Sequence, residues 1–332
     1  MTILVTGIAG FIGHAVAAAL AARGERVVGI DNLNDYYDPA LKHARLADLA
    51  ARFGDAVTVV EGDIADENAL DAAVAGRGVD RIVHLAAQAG VRYSLENPRA
   101  YVRSNLAGHV NMLELARGLG VRHLVYASSS SVYGGNRQLP FRVEDRADNP
   151  VSLYAATKKS NELLSESYAH LFRIPQTGLR FFTVYGPWGR PDMAVWLFTA
   201  AILAGRPIKV FNGGAMQRDF TYIDDIVAGV LAALDRPPAD DGAVKPGGSM
   251  SPHAIYNLGN NNAEELTRLI AVIEEACGRA AVRELHPMQP GDVSATYADI
   301  AAASRDLGFS PSTSIERGAR AFVDWYRAHY AV

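Results

Sequence analysis

The chain has 332 residues, enough for one large domain or two that share a core. Its 32 basic and 36 acidic residues nearly cancel, leaving a formal net charge of −4, which argues against a nucleic-acid or membrane-surface role. One cysteine, Cys277, leaves no internal disulfide and no thiolate metal cluster, and no apolar run approaches the roughly 20 residues that span a bilayer. The chain opens directly on a strand with no apolar signal region, so the expectation is a cytoplasmic protein.

Ile3-Leu4-Val5 reads as a buried strand and runs into Thr6-Gly7-Ile8-Ala9-Gly10-Phe11-Ile12-Gly13 and an alanine-rich helix, Ala15 to about Arg23. Strand, glycine turn and helix make a dinucleotide-binding turn, with the helix N-terminus facing a pyrophosphate. The next strand, Arg26 to Ile30, ends in Asp31, an acidic residue placed to accept from a ribose 2′-hydroxyl and to repel a 2′-phosphate. That favours NAD over NADP.

Alternation continues through helix Pro39–Phe53, strand Val57–Glu61 with Asp63 set to meet the adenine, helix Glu67–Ala75 and strand Arg81–Leu85. His84, inside that apolar strand, reads as a packed core histidine. The small residues Ala86 to Gly90 follow at a strand's C-terminal end, where open α/β sheets put ligands. Helix Ala100–Leu119 carries Asn105, and the strand Leu124–Ala127 runs into Ser128, Ser129, Ser130 and Ser131. Short connections between alternating strands and helices predict an α/β fold, a doubly wound parallel sheet.

A helix beginning near Tyr154 places Tyr154 and Lys158, four apart, on one face, and turns Lys159 elsewhere. A phenol holds its proton to about pH 10, and an ammonium one turn away favours the phenolate. With a serine hydroxyl sharing the substrate oxygen, the three groups make a general base for an alcohol. From about Thr177 turn formers increase: strand Gly178–Phe182, the run Thr183 to Asp192 with Arg190, and the segment Lys209–Asp225. Arg236 to Pro252 reads as a mobile surface loop. A helix Ala263–Gly278, in which Cys277 is a small packed hydrophobe, and a closing helix to Tyr330 complete the chain.

Gly7, Gly10 and Gly13, the serine run with Val132-Tyr133-Gly134, Tyr154 and Lys158, and Arg218-Asp219-Phe220 together resemble the extended short-chain dehydrogenases that act on nucleotide sugars. Residues 31–37, 84–92, 180–194 and 288–293 look more specifically like UDP-glucuronate 4-epimerases. The resemblance implies a Rossmann domain over 1–180 and a smaller C-terminal substrate domain over 181–332, with parts near 219–235 and 255–259 packed back on the first.

It also implies NAD as cofactor and a UDP-sugar as substrate. Tyr154 becomes the base, Lys158 its partner and a ligand of the nicotinamide ribose, and Ser129 the catalytic hydroxyl. Spacing alone cannot choose among Ser128 to Ser131; the match on Val132-Tyr133-Gly134 picks Ser129, with Ser130 and Ser131 as substrate contacts. Phe11, Ile12, Asn32, Ile64, Leu85, Ala86, Ala87, Gln88, Asn105 and Tyr185 join the cofactor set. Arg218 would hold the diphosphate, Phe211 the uracil, Asp292 the UDP ribose, Arg92 another part of the substrate, and Thr183 and Arg190 a sugar carboxylate.

Decarboxylases and dehydratases of this group carry an acidic residue within the serine run, and UDP-galactose epimerases tend to have Asn where Thr183 stands. Gln289 departs from the diphosphate-binding arginine usual in the latter. Rival readings are an epimerase of neutral UDP-hexoses, a UDP-glucuronate decarboxylase, and a non-catalytic NAD(H) sensor, which would not need Ser129, Tyr154 and Lys158 together. By analogy the protein is a homodimer through Ala100–Leu119 and the Tyr154-bearing helix.

Overall fold

The computed structural model describes residues 1–288 and 293–332. The chain enters a central sheet through β1 (Thr2–Thr6), β2 (Arg26–Asp31), β3 (Val57–Glu61), β4 (Val79–His84), β5 (His123–Ser129) and β6 (Gln176–Phe181). It leaves for β7 (Thr183–Tyr185), β8 (Ile208–Phe211) and β9 (Gln217–Tyr222), and returns with β10 (His253–Leu258). The sheet of seven strands has the order β10-β6-β5-β4-β1-β2-β3, and every pairing in it is parallel.

Helices α1 (Phe11–Ala22), α2 (Pro39–Phe53) and α3 (Glu67–Val74) link the first strands. Two single turns, α4 (Tyr93–Glu96) and α5 (Pro98–Tyr101), lead through a π-helical stretch, Val102–Ala107, into α6 (Gly108–Leu119). Then come α7 (Leu153–Phe172), α8 (Ala194–Leu203) and α9 (Ile223–Leu234). Parallel strands covered on both faces have near-continuous apolar sequences, and their alternate residues feed two separate cores. Val5, Val83 and Val125 pack with Val16 and Leu20 of α1 and with α9, whereas Leu4, Ile82 and Leu124 pack with Met112 and Leu113 of α6 on the other side.

The C-terminal part adds β11 (Ala263–Glu265), α10 (Leu266–Cys277), β12 (Arg283–His286), α11 (Ala301–Leu307) and α12 (Ile315–Tyr330); α10 and α12 build a third core with α8, whereas Ala303 and Leu307 of α11 join the first. Ala263–Glu265, expected as the start of a helix, is instead a short strand antiparallel to β9. Its residues meet Asp219 to Gln217 across the ladder, a long-range pairing that local helix preference cannot foresee. Cys277 is buried, and burial pushes its thiol up to about 11, so it is an inert packing group. His84 is buried too, with Nδ1 2.7 Å from the Thr6 hydroxyl.

Residues 236–252 feed β10 from the N-terminal end of the sheet, opposite the strand ends where ligands bind. Arg173 Nε pairs with Asp240 (2.9 Å), and Ser249 donates to Glu166 (2.9 Å), pinning the loop to the end of α7 and beyond. The loop is therefore no lid over the strand ends. Among the described residues no helix is long and apolar enough to cross a membrane.

Candidate active site

The strand order reverses between β1 and β4, and a cavity of 480 Å³ opens where their C-terminal ends diverge. A Cβ on Gly7 would stand 2.8 Å from Ala86 N, and one on Gly13 would stand 2.0 Å from Gly7 O. Only glycine lets the turn close this tightly against β4. Gly10 caps α1 without a side-chain bond, so the first N–H groups of the helix are left for a ligand, and Gly10, Phe11, Ile12 and Gly13 line the cavity.

Asp31 also lines the wall, its carboxylate aimed by Ala9 N (3.0 Å) and Leu33 N (3.0 Å). Asn32, Asp63, Ile64, Leu85, Ala86, Ala87 and Gln88 complete this half. An uncapped helix end, a turn closed by glycine, and a fixed carboxylate one strand over are the donor and acceptor set that a dinucleotide with a free ribose 2′-hydroxyl requires. The residues fit NAD.

Two residues expected in the cofactor set stand off the described wall. Asn105 is buried behind the wall: it accepts from Gln88 N (2.8 Å) and donates to Gln88 O (3.0 Å) and Thr157 Oγ1 (3.1 Å). It sits in the π-helical stretch, whose extra residue per turn aims that side chain inward. It shapes the Gln88 turn and forms no part of the wall itself. Tyr185 points into the C-terminal core, where its hydroxyl donates to Ser314 O (3.3 Å).

The chemistry-bearing face belongs to α7. Ser152 caps that helix by accepting from Ala155 N (3.1 Å), which sets Tyr154 in the first turn at the cavity mouth and Lys158 one turn below. Burial pushes the Tyr154 phenol up, opposed by a hydrogen bond with Ser129 and by the charge of Arg190. In the protein alone the net direction is upward. Lys158 is buried, donates to Ala127 O (2.9 Å), and burial pulls its ammonium down to about 8.

Ser128 to Ser131 all line the cavity, but the structure separates their duties. Ser128 donates to Glu162 (2.7 Å), while Ser129 lines the cavity with Tyr154 and its Oγ accepts from Ser131 N (3.2 Å). Ser128 is thus committed to Glu162, whereas the Ser129 hydroxyl is on the cavity wall with Tyr154.

Lys158 gives a pH test. In an unfolded chain a lysine keeps its charge to about pH 10.4; folded, this one gives it up near 8. Below pH 8 both states are charged and the native state bears the whole desolvation cost. Above 8 the native state sheds the proton first, so stability rises with pH through this group until about pH 10.4. Lys158→Met should therefore melt higher than wild type at about pH 7, and the gap should narrow as the pH climbs toward about 10. Thermal melts of both proteins across that range would measure it, and a gap independent of pH would refute it.

On the substrate side Thr183, Arg190 and Arg218 line the same cavity. Arg190 is held by Asp192 through Nε (3.0 Å) and Nη2 (2.5 Å), and Tyr36 donates to Asp192 (3.0 Å). Burial disfavours the Arg190 charge, but Asp192 more than compensates, and the guanidinium is held more firmly charged than usual. Asp219, next to Arg218, is buried; its oxygens accept from Asn260 N (2.5 Å) and Ala298 N (3.1 Å), and burial pushes its carboxyl up to about 6. Alternation along β9 then sends Arg218 to the opposite face, at the cavity.

Phe211 and Arg92 stand off the described wall and face each other, the guanidinium 4.9 Å from the ring centroid. Asp292, expected at the UDP ribose, lies outside the described residues. Residues not singled out in the sequence also reach the site: Lys42 and Tyr36 line the cavity, and Arg45, Glu162 and Arg180 support it from behind. A signal existed for two of them. Arg45 interrupts the buried stripe Leu41, Arg45, Leu49 of α2, and Glu162 is the next step after Tyr154 and Lys158 at the same spacing of four.

A family model described as the NAD dependent epimerase/dehydratase family matches residues 3–259. The chain is 49% identical over 337 residues to a probable UDP-glucuronate 4-epimerase of Rhizobium meliloti, covering 99% of this chain and 98% of that one. It is 48% identical over 336 residues to UDP-glucuronate 4-epimerase 4 of Arabidopsis thaliana, covering 100% of this chain and 76% of the plant protein. A crystal structure of UDP-glucuronic acid 4-epimerase from Bacillus cereus, in complex with UDP-glucuronic acid and NAD, superposes with a TM-score of 0.86 at 33% identity. That match covers 99% of this chain and 100% of the other.

Proposed function

Because the chain belongs to the NAD dependent epimerase/dehydratase family, we propose that it interconverts UDP-glucuronate and UDP-galacturonate at C4, with NAD as cofactor. The observation that carries this reading is the position of Arg190, on the same cavity wall as Tyr154 and near enough for each group to shift the other's titration. A cation so close to the base suits an acidic sugar.

In this reading the N-terminus of α1 holds the pyrophosphate, Asp31 the adenosine ribose, Asp63 and Ile64 the adenine, and Lys158 the nicotinamide ribose. NAD, when bound, supplies a hydride acceptor and a positive charge. Tyr154 takes the proton of the C4 hydroxyl, with Ser129 sharing that oxygen, and gives it back once the 4-keto sugar has turned over. Proton and hydride both return, so no net redox appears.

The 4-keto form of a glucuronate is a β-keto acid that readily loses CO2. Asp192 occupies the Nε–Nη2 edge of Arg190, so the sugar carboxylate binds toward Nη1, with Thr183 beside it, held out of the geometry that favours that loss. Purified protein incubated with UDP-glucuronate and no added NAD should yield UDP-galacturonate by proton NMR, without CO2 or accumulating NADH. Arg190→Met should lose about 10- to 100-fold in kcat/KM, the worth of one charge-assisted hydrogen bond, and divert product to a UDP-pentose. Unchanged epimerisation in that variant would remove Arg190 from the site. A pentose from the wild type would make the protein a decarboxylase, and conversion of UDP-glucose alone would move the substrate to neutral hexoses.

A homodimer is part of the same proposal. Leu163, Leu171 and Phe172 of α7 and Leu119 of α6 are exposed, an apolar face that a second copy would cover. Sedimentation at the mass of a single chain would rule that out.

A further inference from the structure

Arg45 has no exposed surface at all, and its guanidinium joins three segments that the site needs in register. Nη1 donates to Ala9 O (2.9 Å), inside the glycine turn, and to the Tyr37 hydroxyl (2.7 Å), in the loop after β2. Nη2 donates to Trp188 O (2.6 Å) and Gly189 O (3.1 Å), the two carbonyls just before Arg190. Nε is buried without a partner.

Backbone carbonyls and one phenol thus receive these four bonds, although a buried cation is costly without a carboxylate. Burial accordingly pulls this guanidinium down from its usual range. Trp188 has φ +63°, a conformation uncommon for a residue with a side chain, and that bend offers both carbonyls to Arg45 while Arg190 lines the cavity. A charge kept at such cost, gripping a strained bend one residue from a substrate-facing arginine, is more than filler for the core of α2.

We propose that Arg45 is a positioning residue. It clamps the Trp188–Gly189 bend to the cofactor's glycine turn and so fixes where Arg190 stands relative to Tyr154. Tyr36 and Asp192 complete the clamp from the cavity side. The inference rests on the reading of UDP-glucuronate as substrate, because Arg190 matters to the extent that the sugar carries a carboxylate.

The test is the ratio of Kd values for UDP-glucuronate and UDP-glucose, measured by titration calorimetry on holoenzyme as purified. Wild type should prefer the acidic sugar. Arg45→Lys keeps the charge but cannot span four acceptors, and should lower that preference about tenfold, measured per bound NAD, while Kd for UDP-glucose stays within a few fold of wild type. Tyr37→Phe, which removes one acceptor only, should move the ratio the same way by a few fold and carries the test if Arg45→Lys fails to fold. A ratio unchanged in both variants, or both sugars weakened equally, overturns the proposal. A wild type with no preference for UDP-glucuronate overturns the substrate reading, and this proposal with it.

Discussion

Tyr154→Phe should lower kcat for epimerisation by about 10²- to 10⁴-fold, the usual worth of a positioned general base. Substrate and cofactor binding should barely change. The ring itself is held edge-on to Tyr101, centroids 6.1 Å apart, and that contact survives the loss of the hydroxyl. Loss of the hydroxyl bears on stability by about 1 kcal/mol at most. Initial rates by NMR, with Kd for UDP in parallel, separate the chemistry from binding. A variant retaining a tenth of the wild-type rate would reassign the base.

Glu162→Ala should destabilise the protein by about 3–5 kcal/mol, the cost of stripping one partner from a buried ion pair. Burial alone would push the Glu162 carboxyl up, but Arg180 first, then Lys159 and Ser128, bring it down to about 2. Arg180 grips both oxygens, at 2.8 and 2.9 Å, and β5 and β6 bring Ser128 opposite Arg180 in register. With Glu162 gone, Arg180 keeps the Tyr133 hydroxyl (3.0 Å) and Val143 O (3.2 Å) but no carboxylate. Urea unfolding measures the loss. Glu162→Leu combined with Arg180→Met should recover most of it, since the pair costs desolvation that an apolar substitute avoids. A single-variant loss below about 1 kcal/mol would mean water reaches the pair. The carboxyl's contribution is full above its unfolded pKa, about 4.3, and fades as pH falls toward 2.

What the sequence makes legible here is local. Gly7, Gly10 and Gly13 sit within one turn, Asp31 ends the very next strand, and Tyr154 and Lys158 are one helical turn apart, so pattern and spacing suffice. The rest depends on partners distant in the chain. Nothing beside Ser128 announces that Glu162 will take its hydroxyl. Tyr185 follows a strand that ends at the cavity, yet Gly318 of α12 makes room for its ring on the other side. Arg45 looks like an interruption of an amphipathic stripe until Trp188 and Gly189, more than a hundred residues on, turn their carbonyls toward it. Even at Tyr154, where spacing pairs the phenol with Lys158, the cavity wall also brings in Arg190 from another loop.

The late return of β10 beside β6 has a consequence for engineering. The cofactor half is not a detachable module. A chain cut before His253 would leave β6, all six residues buried in the complete fold, as a bare hydrogen-bonding rim open to association with other chains. Chimaeras meant to exchange sugar preference between relatives should therefore transplant an internal cassette between Thr183 and Tyr222, leaving the recipient its own α9 and seventh strand. Swapping whole C-terminal halves would replace a sheet strand along with the specificity and burden the hybrid with a foreign seam.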